Sequence, residues 1–342
     1  MKLSKILKRF GVDKFILALI GMILLASLYP AGGTGRGVFS LPQIANYGVS
    51  LVFFFYGLRL SRSKLAAGLS NWKLHLVVHG STFILFPLLL LSVKGLFQHG
   101  NDQLLWLACF FLASLPSTVS SSVVMVSIAG GNIPAAIFNA SISSIIGVFI
   151  TPLWMQLVTK PAQGVSNLGQ IIIKLVLQVL VPVTIGLLLN ARWGWFAEKY
   201  RKQLKYLDQL IILLIVYTAF CESFARHMFS NLGMIQLVIL AACMLALFFF
   251  VYFLVSLVCR LLHFNREDRI TAVFCSSKKS LVHGSVMVKV LFSNSNLMGL
   301  LLLPLMLYHA LQLISASMIA QKMATGQAPA AVANPVEALP SA

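Results

Sequence analysis

The chain has 342 residues, of which 59% are hydrophobic and only 10% are charged, and its mean hydropathy is +0.90. A water-soluble protein of this composition would expose large apolar patches, so a soluble fold is excluded and lipid must be the main solvent. The net charge of +18 does not indicate nucleic-acid binding, because the basic residues lie in alternate loops and not in a stripe interleaved with exposed aromatic side chains.

Ten apolar runs of transmembrane length follow one another along the chain, and we number them as spans one to ten. They lie near residues 15–31, 42–60, 74–93, 103–129, 134–157, 168–190, 208–228, 235–258, 270–292 and 296–319. Residues 1–14 are predicted to be a cytoplasmic N-terminal segment. Residues 324–342 are rich in Ala and Pro without an apolar period, which predicts a disordered cytoplasmic tail.

The number of spans predicts the architecture. Ten spans divide into two halves of five, residues 15–157 and 168–319. Because five is odd, the second half enters the membrane with the opposite orientation, as in the inverted repeats of many secondary transporters. We therefore predict an all-α polytopic membrane protein with ten transmembrane helices in two inverted five-helix repeats.

The Lys and Arg residues predict the orientation. Eighteen of them lie at the termini and in the loops after even-numbered spans, whereas the loops after odd-numbered spans hold four. Basic residues accumulate in the cytoplasmic loops of membrane proteins. Both termini are therefore predicted to lie in the cytoplasm.

Spans four and nine carry clustered hydroxyl side chains at the predicted middle of the membrane. Their polar stretches are Ser117-Thr118-Val119-Ser120-Ser121-Ser122 and Ser276-Ser277-Lys278-Lys279-Ser280. Pro116 removes a backbone donor from span four and Gly284 weakens span nine, so both helices are predicted to be broken. Backbone groups freed at such breaks bind ions and anionic substrate groups in transporters. The alternative is that the hydroxyls only allow close helix packing.

Charged side chains inside the membrane mark a second feature of span nine. A lysine at mid-bilayer costs at least about 2.5 kcal/mol, so the adjacent Lys278 and Lys279 need a wet cavity and a function. Glu222 in span seven is the only carboxylate well inside a run, and it is the candidate counter-ion. His283 is the candidate proton relay. The alternative is an ion pair that only fixes packing.

Two functions other than transport stay open at this point. Ser276 and Lys279 match the pattern S-x-x-K of some acyl-enzymes, which would indicate an intramembrane Ser-Lys hydrolase, although the companion motifs S-D-N and K-T-G are absent. A non-transporting regulatory or scaffold membrane protein is the other alternative. We expect a transporter with no catalytic residue and no cofactor beyond a coupling ion, either sodium or a proton.

Three stretches carry a resemblance to a known family: Leu115-Pro116 with its serine cluster and Ala129-Gly130-Gly131-Asn132, Phe274 to Leu281, and Leu303-Pro304-Leu305-Met306. Over about residues 10–320 the chain resembles the bile acid:sodium symporter superfamily (solute carrier family ten-like), in the bacterial branch similar to the seventh human member. The resemblance implies a symporter in the bacterial inner membrane. It also implies a core of helices three to five and eight to ten, whose broken helices four and nine cross, and a panel of helices one, two, six and seven. Substrate would bind between panel and core.

The resemblance also implies a site, with one departure. The first sodium site of the sodium-coupled relatives falls on Ser121 and Ser122, with Asn139 and Ser141 adjacent in helix five, and a helix-three glutamine falls on Thr82. The E-x-G-x-Q-N segment of helix nine falls on residues 274–279. The carboxylate that would serve both sodium ions is therefore missing, and two ammonium groups stand where neutral amides would be.

These observations predict one substrate and ion site, which we expect to line a solvent-reachable cavity near mid-membrane. Its predicted residues are Thr82, Ser120, Ser121, Ser122, Asn139, Ser141, Ser276, Ser277, Lys278, Lys279 and Ser280. Sodium is a candidate ligand of Ser121 and Ser122. The expected partners are the lipid bilayer and a small organic anion, attracted without sodium by the two lysines acting as tethered cations.

Overall fold

The structure is a computed structural model that describes residues 14–35, 40–60, 71–97, 100–159, 173, 176–225, 233–292 and 297–325. Within these ranges the regular secondary structure is helical throughout, without a strand. The predicted N-terminal segment and C-terminal tail lie almost wholly outside the described residues.

The helices of the first half begin and end close to the apolar runs. They are α1 Lys14–Leu28, α2 Leu41–Leu58, α3 Trp72–Gly80 and Phe86–Ser92 joined by the π-helical turn Ser81–Leu85, α4 Gly100–Ser114, α5 Ser120–Ala129, and α6 Ile133–Val158. The helices of the second half are α7 Val176–Lys199, which begins with a π-helical turn, α8 Arg201–Ala225, α9 Met234–Leu261, α10 Arg266–Ser276, α11 Leu281–Leu291 and α12 Met298–Thr325.

Seven of the described helical stretches are long and apolar enough to cross a membrane: α2, α3 with the turn that follows it, and α6, α7, α8, α9 and α12. A helix needs about 20 residues to cross the hydrocarbon layer, and α4, α5, α10 and α11 have 10 to 15 residues each. The chain is therefore an all-helical integral membrane protein, while the ten spans and the inverted repeat stay predictions.

Helix breaks occur inside spans four and nine. We call residues 115–119, between α4 and α5, the first break, and residues 277–280, between α10 and α11, the second break. At the first break Pro116 disfavours helical dihedral angles in the residue before it. At the second break Ser280 has extended dihedral angles, and its hydroxyl accepts a hydrogen bond from the backbone N–H of His283, as an N-cap residue does.

Contacts sort the helices into two groups. In the first group, which we call the panel, α2 packs on α7, and α8 packs on α1 and α2. A Cβ atom on Gly57 would overlap the carbonyl oxygen of Val183, and one on Gly186 would overlap that of Phe54, so α2 and α7 meet backbone to backbone. The remaining helices, α3 to α6 and α9 to α12, form the second group, the core. The groups meet mainly where α8 packs on α11 and α12.

One buried carboxylate joins three core helices. Asn71, Asn132 and Asn265 cap the N-termini of α3, α6 and α10 with their side-chain oxygens. The amide nitrogens of the same three side chains donate to Asp268 at 2.7, 2.9 and 3.1 Å. Helix N-termini favour a negative charge, so Asp268, which is 6% exposed, holds the three helix ends together.

Candidate functional site

The two helix breaks contact each other through hydrogen bonds. The Ser117 hydroxyl in the first break donates to the carbonyl oxygen of Cys275 at 2.5 Å, near the end of α10. In return, the backbone N–H of Ser280 in the second break donates to the carbonyl oxygen of Pro116 at 3.0 Å. Carbonyl groups at a helix C-terminus lack intrahelical donors. Each break therefore supplies donors to carbonyl groups at or near the other.

The Lys279 side chain reaches from the second break to the end of α4. Its ammonium donates to the carbonyl oxygens of Thr82 at 2.8 Å, Ala113 at 2.6 Å and Leu115 at 2.8 Å, and it lies 4.1 Å from the ring centroid of Phe86. The residue is wholly buried. Each of the three N–H donors of the ammonium therefore has an acceptor. A cation is favourable here, because the C-terminus of a helix is its negative end.

The local sequence of α3 explains why the Thr82 carbonyl is available. In the π-helical turn, the backbone N–H of Phe86 bonds to the carbonyl of Ser81, five residues earlier. The next donor in that register would be residue 87, which is a proline without an N–H. The Thr82 carbonyl therefore lacks a helical donor, and Lys279 supplies one.

Helix α12 holds the second break from the other side. The Gln312 side chain accepts from the backbone N–H of Lys279 and donates to its carbonyl, both at 2.8 Å. The Tyr308 hydroxyl donates to the carbonyl of Ser277 at 2.6 Å. The sequence interpretation missed both residues. The signal was present, because two polar residues four positions apart share a face of an otherwise apolar helix.

Lys278 differs sharply from its neighbour. It is also wholly buried, but its ammonium has no hydrogen-bond partner among the described residues. Three more buried polar side-chain atoms without a partner among the described residues lie beside the second break. They belong to Ser276 on α10 and to His283 and Ser285 on α11. An unpaired buried polar group costs about 1–3 kcal/mol, so these atoms are candidates to bind a solute.

His283 lies where the core meets the panel. Its ring packs edge-on against Phe53 and Tyr56 of α2, with centroid distances of 5.2 and 6.3 Å. Its Nδ1 shares a hydrogen bond of 2.9 Å with the Ser280 hydroxyl, which leaves Nε2 as the unpartnered nitrogen. The residue chosen as a proton relay thus lies at the interface where substrate is expected.

Most of the predicted site residues lie at the breaks, and their hydroxyls are largely engaged. Thr118 bonds to Ser121 at 2.6 Å and to Ser122 at 3.1 Å, and Ser122 donates to the carbonyl of Phe274 at 3.2 Å. The Ser277 hydroxyl donates back to its own helix. The Ser120 side chain lies outside the described part of the structure.

The two residues predicted in helix five, Asn139 and Ser141, contact different parts of the protein. Asn139 contacts His75 of α3 at 3.0 Å and its own helix at 2.9 Å, whereas Ser141 lies beside Tyr56 of the panel. The α6 residue with a hydrogen bond to the first break is Ser143, whose hydroxyl accepts from the backbone N–H of Ser117 at 3.0 Å. Ser143 was not among the predicted residues, although it lies on the same polar stretch.

Glu222 lies in a different place from the two lysines of the second break. It lines a cavity of about 380 Å³ together with Thr218 and Lys289. The Lys289 ammonium donates to the carbonyl of Pro42 at 2.7 Å. Among the described residues, neither Lys278 nor Lys279 forms an ion pair with a carboxylate.

The predicted site is closed in this structure. Ser276, Ser277, Lys278 and Lys279 are wholly buried, and Ser280 is 3% exposed. The solvent-reachable cavity that we expected is therefore not open in this conformation. A solute would reach these residues only after a change of conformation.

The donor set suits a bound sodium ion poorly. Hard cations need several oxygen ligands and a balancing negative charge. Around Ser121 and Ser122 the described oxygens are hydroxyls and carbonyls that already bond to one another. The described residues also contain no cluster of three His, Cys, Asp or Glu side chains that could hold a metal.

Comparisons with known proteins identify relatives along almost the whole chain. The model of the SBF-like CPA transporter family (DUF4137) matches residues 13–325. Uncharacterized protein PA2026 of Pseudomonas aeruginosa is 40% identical, covering 95% of this chain and 97% of that protein. The Escherichia coli protein named "Putative symporter YfeH" is 37% identical over 94% of both chains. Sodium/bile acid cotransporter 7 of Xenopus tropicalis is 30% identical over 92% of both chains.

The matched proteins exclude the enzyme alternative. The family and its named relatives are transporters and symporters, not enzymes. The geometry agrees, because all three donors of the Lys279 ammonium are bound to carbonyl oxygens, and a base must be free to take a proton from the serine. Ser276 and Lys279 are therefore not a catalytic dyad.

Proposed function

The chain belongs to the SBF-like CPA transporter family, and we propose that it moves a small organic anion across the bacterial inner membrane by alternating access, with fixed ammonium groups in place of bound sodium. As a symporter-type membrane transporter it has the lipid bilayer and a small-molecule solute as partners. The proposal concerns the charge of the solute, the identity of the coupling ion and the residues that bind the solute.

The observation that carries the proposal is the wholly buried Lys278 ammonium without a hydrogen-bond partner among the described residues. An isolated charge in an apolar interior is very costly unless it is paired. An anionic group of a solute is the partner that would compensate it. Ser276 and His283, whose Oγ and Nε2 atoms are also unpartnered, would supply neutral hydrogen bonds to the same solute.

The two lysines have separate roles in this proposal. Lys279 takes the place of a bound cation, because its ammonium is surrounded by three carbonyl oxygens as a coordinated ion would be. It has no donor left for a solute. Lys278 is then the residue that binds the solute. The sequence predicted that both lysines act as tethered cations, and in this proposal one ammonium is structural and the other binds substrate.

Charge balance supports an anion over a cation as the solute. Asp268 lies ten residues before Lys278, about 15 Å along a helix, and its oxygens already accept three amide donors. Two ammonium groups without a nearby described carboxylate leave the closed site positive. Electrostatic attraction in such a low-dielectric site is much stronger than in water. A proton exchanged at Lys278 is the alternative to sodium as coupling ion.

The panel would provide the moving boundary of the site. Phe53 and Tyr56 of α2 cover His283, and the panel meets the core mainly through α8. A displacement of the panel would therefore expose the unpartnered groups to one side of the membrane. Rigid-body motion of one bundle against another is the usual form of alternating access.

Uptake into proteoliposomes tests this function. With sodium replaced by choline, we expect the wild-type protein to accumulate or exchange at least one member of a panel of small carboxylates and sulfonates. Lys278→Met should weaken binding of that anion by at least about 30-fold, since removing one partner of a buried charge pair costs 2 kcal/mol or more. The matched control is Lys202→Met, which removes an exposed lysine from α8.

Three outcomes of that experiment would contradict the proposal. Strict dependence of wild-type uptake on sodium would restore the sodium-coupled mechanism. Unchanged uptake in Lys278→Met would remove the lysine from the site. Failure to move any anion under sodium, proton or exchange conditions would favour the regulatory or scaffold alternative.

Orientation in the membrane is tested separately with reporter fusions. We expect fusions at Asn101, Ala162 and Asn231 to report the outside of the cell, and fusions at Lys64, Lys202 and Arg266 to report the cytoplasm, because the loops rich in Lys and Arg stay inside. Two or more contrary signals would overturn the ten-span topology with both termini in the cytoplasm.

A further inference from the structure

A long apolar groove runs between α3 and α6, away from the breaks. It encloses about 850 Å³, and its walls include Leu76 and Ile84 of α3 and Ile150 and Leu153 of α6. Leu76, Ile84 and Leu153 are 62%, 55% and 43% exposed. In an integral membrane protein an exposed apolar face of this kind meets the lipid chains and not water.

One end of the groove carries charge. Trp72 begins α3 and is 62% exposed, and the Lys73 ammonium lies 5.9 Å from the centroid of its ring. In the predicted orientation this end lies at the cytoplasmic surface. Tryptophan and lysine are typical anchors of a helix at that surface, and basic residues there attract anionic lipids.

Two histidines follow along the same groove. His75 and His79 lie about 4.5 and 10 Å beyond Trp72 along the helix. His75 Nδ1 contacts Asn139, whereas His75 Nε2 and both ring nitrogens of His79 have no partner among the described residues. These nitrogen atoms are buried, so the two rings line the groove without offering a hydrogen-bond donor to it.

On the α3 side of the groove, the helix rises about 18 Å from Trp72 to Ile84, which is close to the thickness of half of the hydrocarbon layer, about 15 Å. A cation lies at the start of this wall, and apolar side chains extend beyond it. We propose that this groove binds an anionic phospholipid of the cytoplasmic leaflet, with its phosphate at Lys73 and one acyl chain along α3 and α6.

Gly80 allows the groove to be filled without disturbing the protein. It lines the groove, and a Cβ atom placed on it meets no protein atom within 4 Å. Gly80→Leu should therefore exclude an acyl chain and leave the helix packing intact. Gly21 on α1 is also exposed and has the same free space, so Gly21→Leu is the matched control. Lys73→Gln tests the head group independently of the groove.

Thermal unfolding in lipid vesicles tests the proposal. Protein is reconstituted into phosphatidylcholine vesicles with and without phosphatidylglycerol, and the lipid retained after purification is quantified by mass spectrometry. We expect phosphatidylglycerol to raise the unfolding temperature of the wild type and of Gly21→Leu. Gly80→Leu should lose that rise and the retained phosphatidylglycerol, and Lys73→Gln should lose the preference over phosphatidylcholine.

Two results would overturn the lipid site. An equal rise in all four proteins would show that the anionic lipid acts elsewhere. A change in oligomeric mass in Gly80→Leu, with no change in retained lipid, would show that a second copy of the chain covers the groove.

Discussion

Replacing Lys279 with Met is expected to lower the free energy of unfolding by about 3 kcal/mol or more, because three carbonyl acceptors lose their donors at a cost of about 1–3 kcal/mol each. Those acceptors are the backbone oxygens of Thr82, Ala113 and Leu115, which join α3 and the end of α4 to the second break. Thermal unfolding of the purified protein in sodium-free detergent buffer measures the effect.

The neighbouring lysine provides an unusually close control. Lys278→Met makes the same chemical change one residue away, at a position that is equally buried. The ammonium it removes has no partner among the described residues, and replacing an uncompensated buried charge by an apolar side chain is neutral or stabilising. We therefore expect Lys279→Met to lower the stability and Lys278→Met to leave it unchanged or raise it. Equal losses of stability would contradict the separate roles that we assign to them.

Replacing Asp268 with Ala is the second change with a large expected effect. Three asparagine amide groups lose a charged acceptor, and hydrogen bonds to charged groups contribute about 1.5–3 kcal/mol each. The N-termini of α3, α6 and α10 also lose the negative charge between them. We expect the free energy of unfolding to fall by at least 3 kcal/mol, using about 1–3 kcal/mol for each unpaired group.

Hydrogen exchange distinguishes this local effect from general destabilisation. The first turns of α3, α6 and α10 should lose protection in Asp268→Ala before the panel helices do. Glu267→Ala is the matched control, because Glu267 is the preceding residue of the same first turn and its side chain is exposed. A similar loss of stability in both variants would mean that Asp268 does not hold the three helix ends together.

Local sequence was sufficient to predict the membrane class and the break at Pro116, whereas Gly284, which was expected to weaken span nine, lies inside α11, four residues after the second break. Lipid solvation selects long apolar helices, and α2, α3, α6 and α12 lie where the apolar runs placed them. Pro116 lacks an N–H, and α4 ends two residues before it. Such effects depend on composition and on neighbours within a few residues, so they can be read directly from the chain.

The sequence predicted the site less completely where the hydrogen-bond partner of a side chain lies far away along the chain. The sequence did not single out Asp268, because its partners Asn71 and Asn132 are 197 and 136 residues away along the chain. Gln312 and Tyr308 were missed for the same reason, since α12 reaches the second break only in the folded core. The pairing of Glu222 with Lys278 or Lys279 was left open by the sequence, and in the structure Glu222 lines a cavity to which Lys289 also contributes.

Lys278 and Lys279 show most clearly what the sequence determined and what the tertiary structure determined. The sequence by itself determined that two ammonium groups lie inside the membrane at a break in span nine, because no apolar helix would carry them otherwise. It could not distinguish them, since both have the same side chain and nearly the same neighbours. Among the described residues, the packing of α3 and α4 against the second break brings three free carbonyl oxygens to Lys279 and none to Lys278. The physical reason is that a hydrogen bond needs an acceptor at about 2.9 Å, and the tertiary fold alone determines which acceptors come that close.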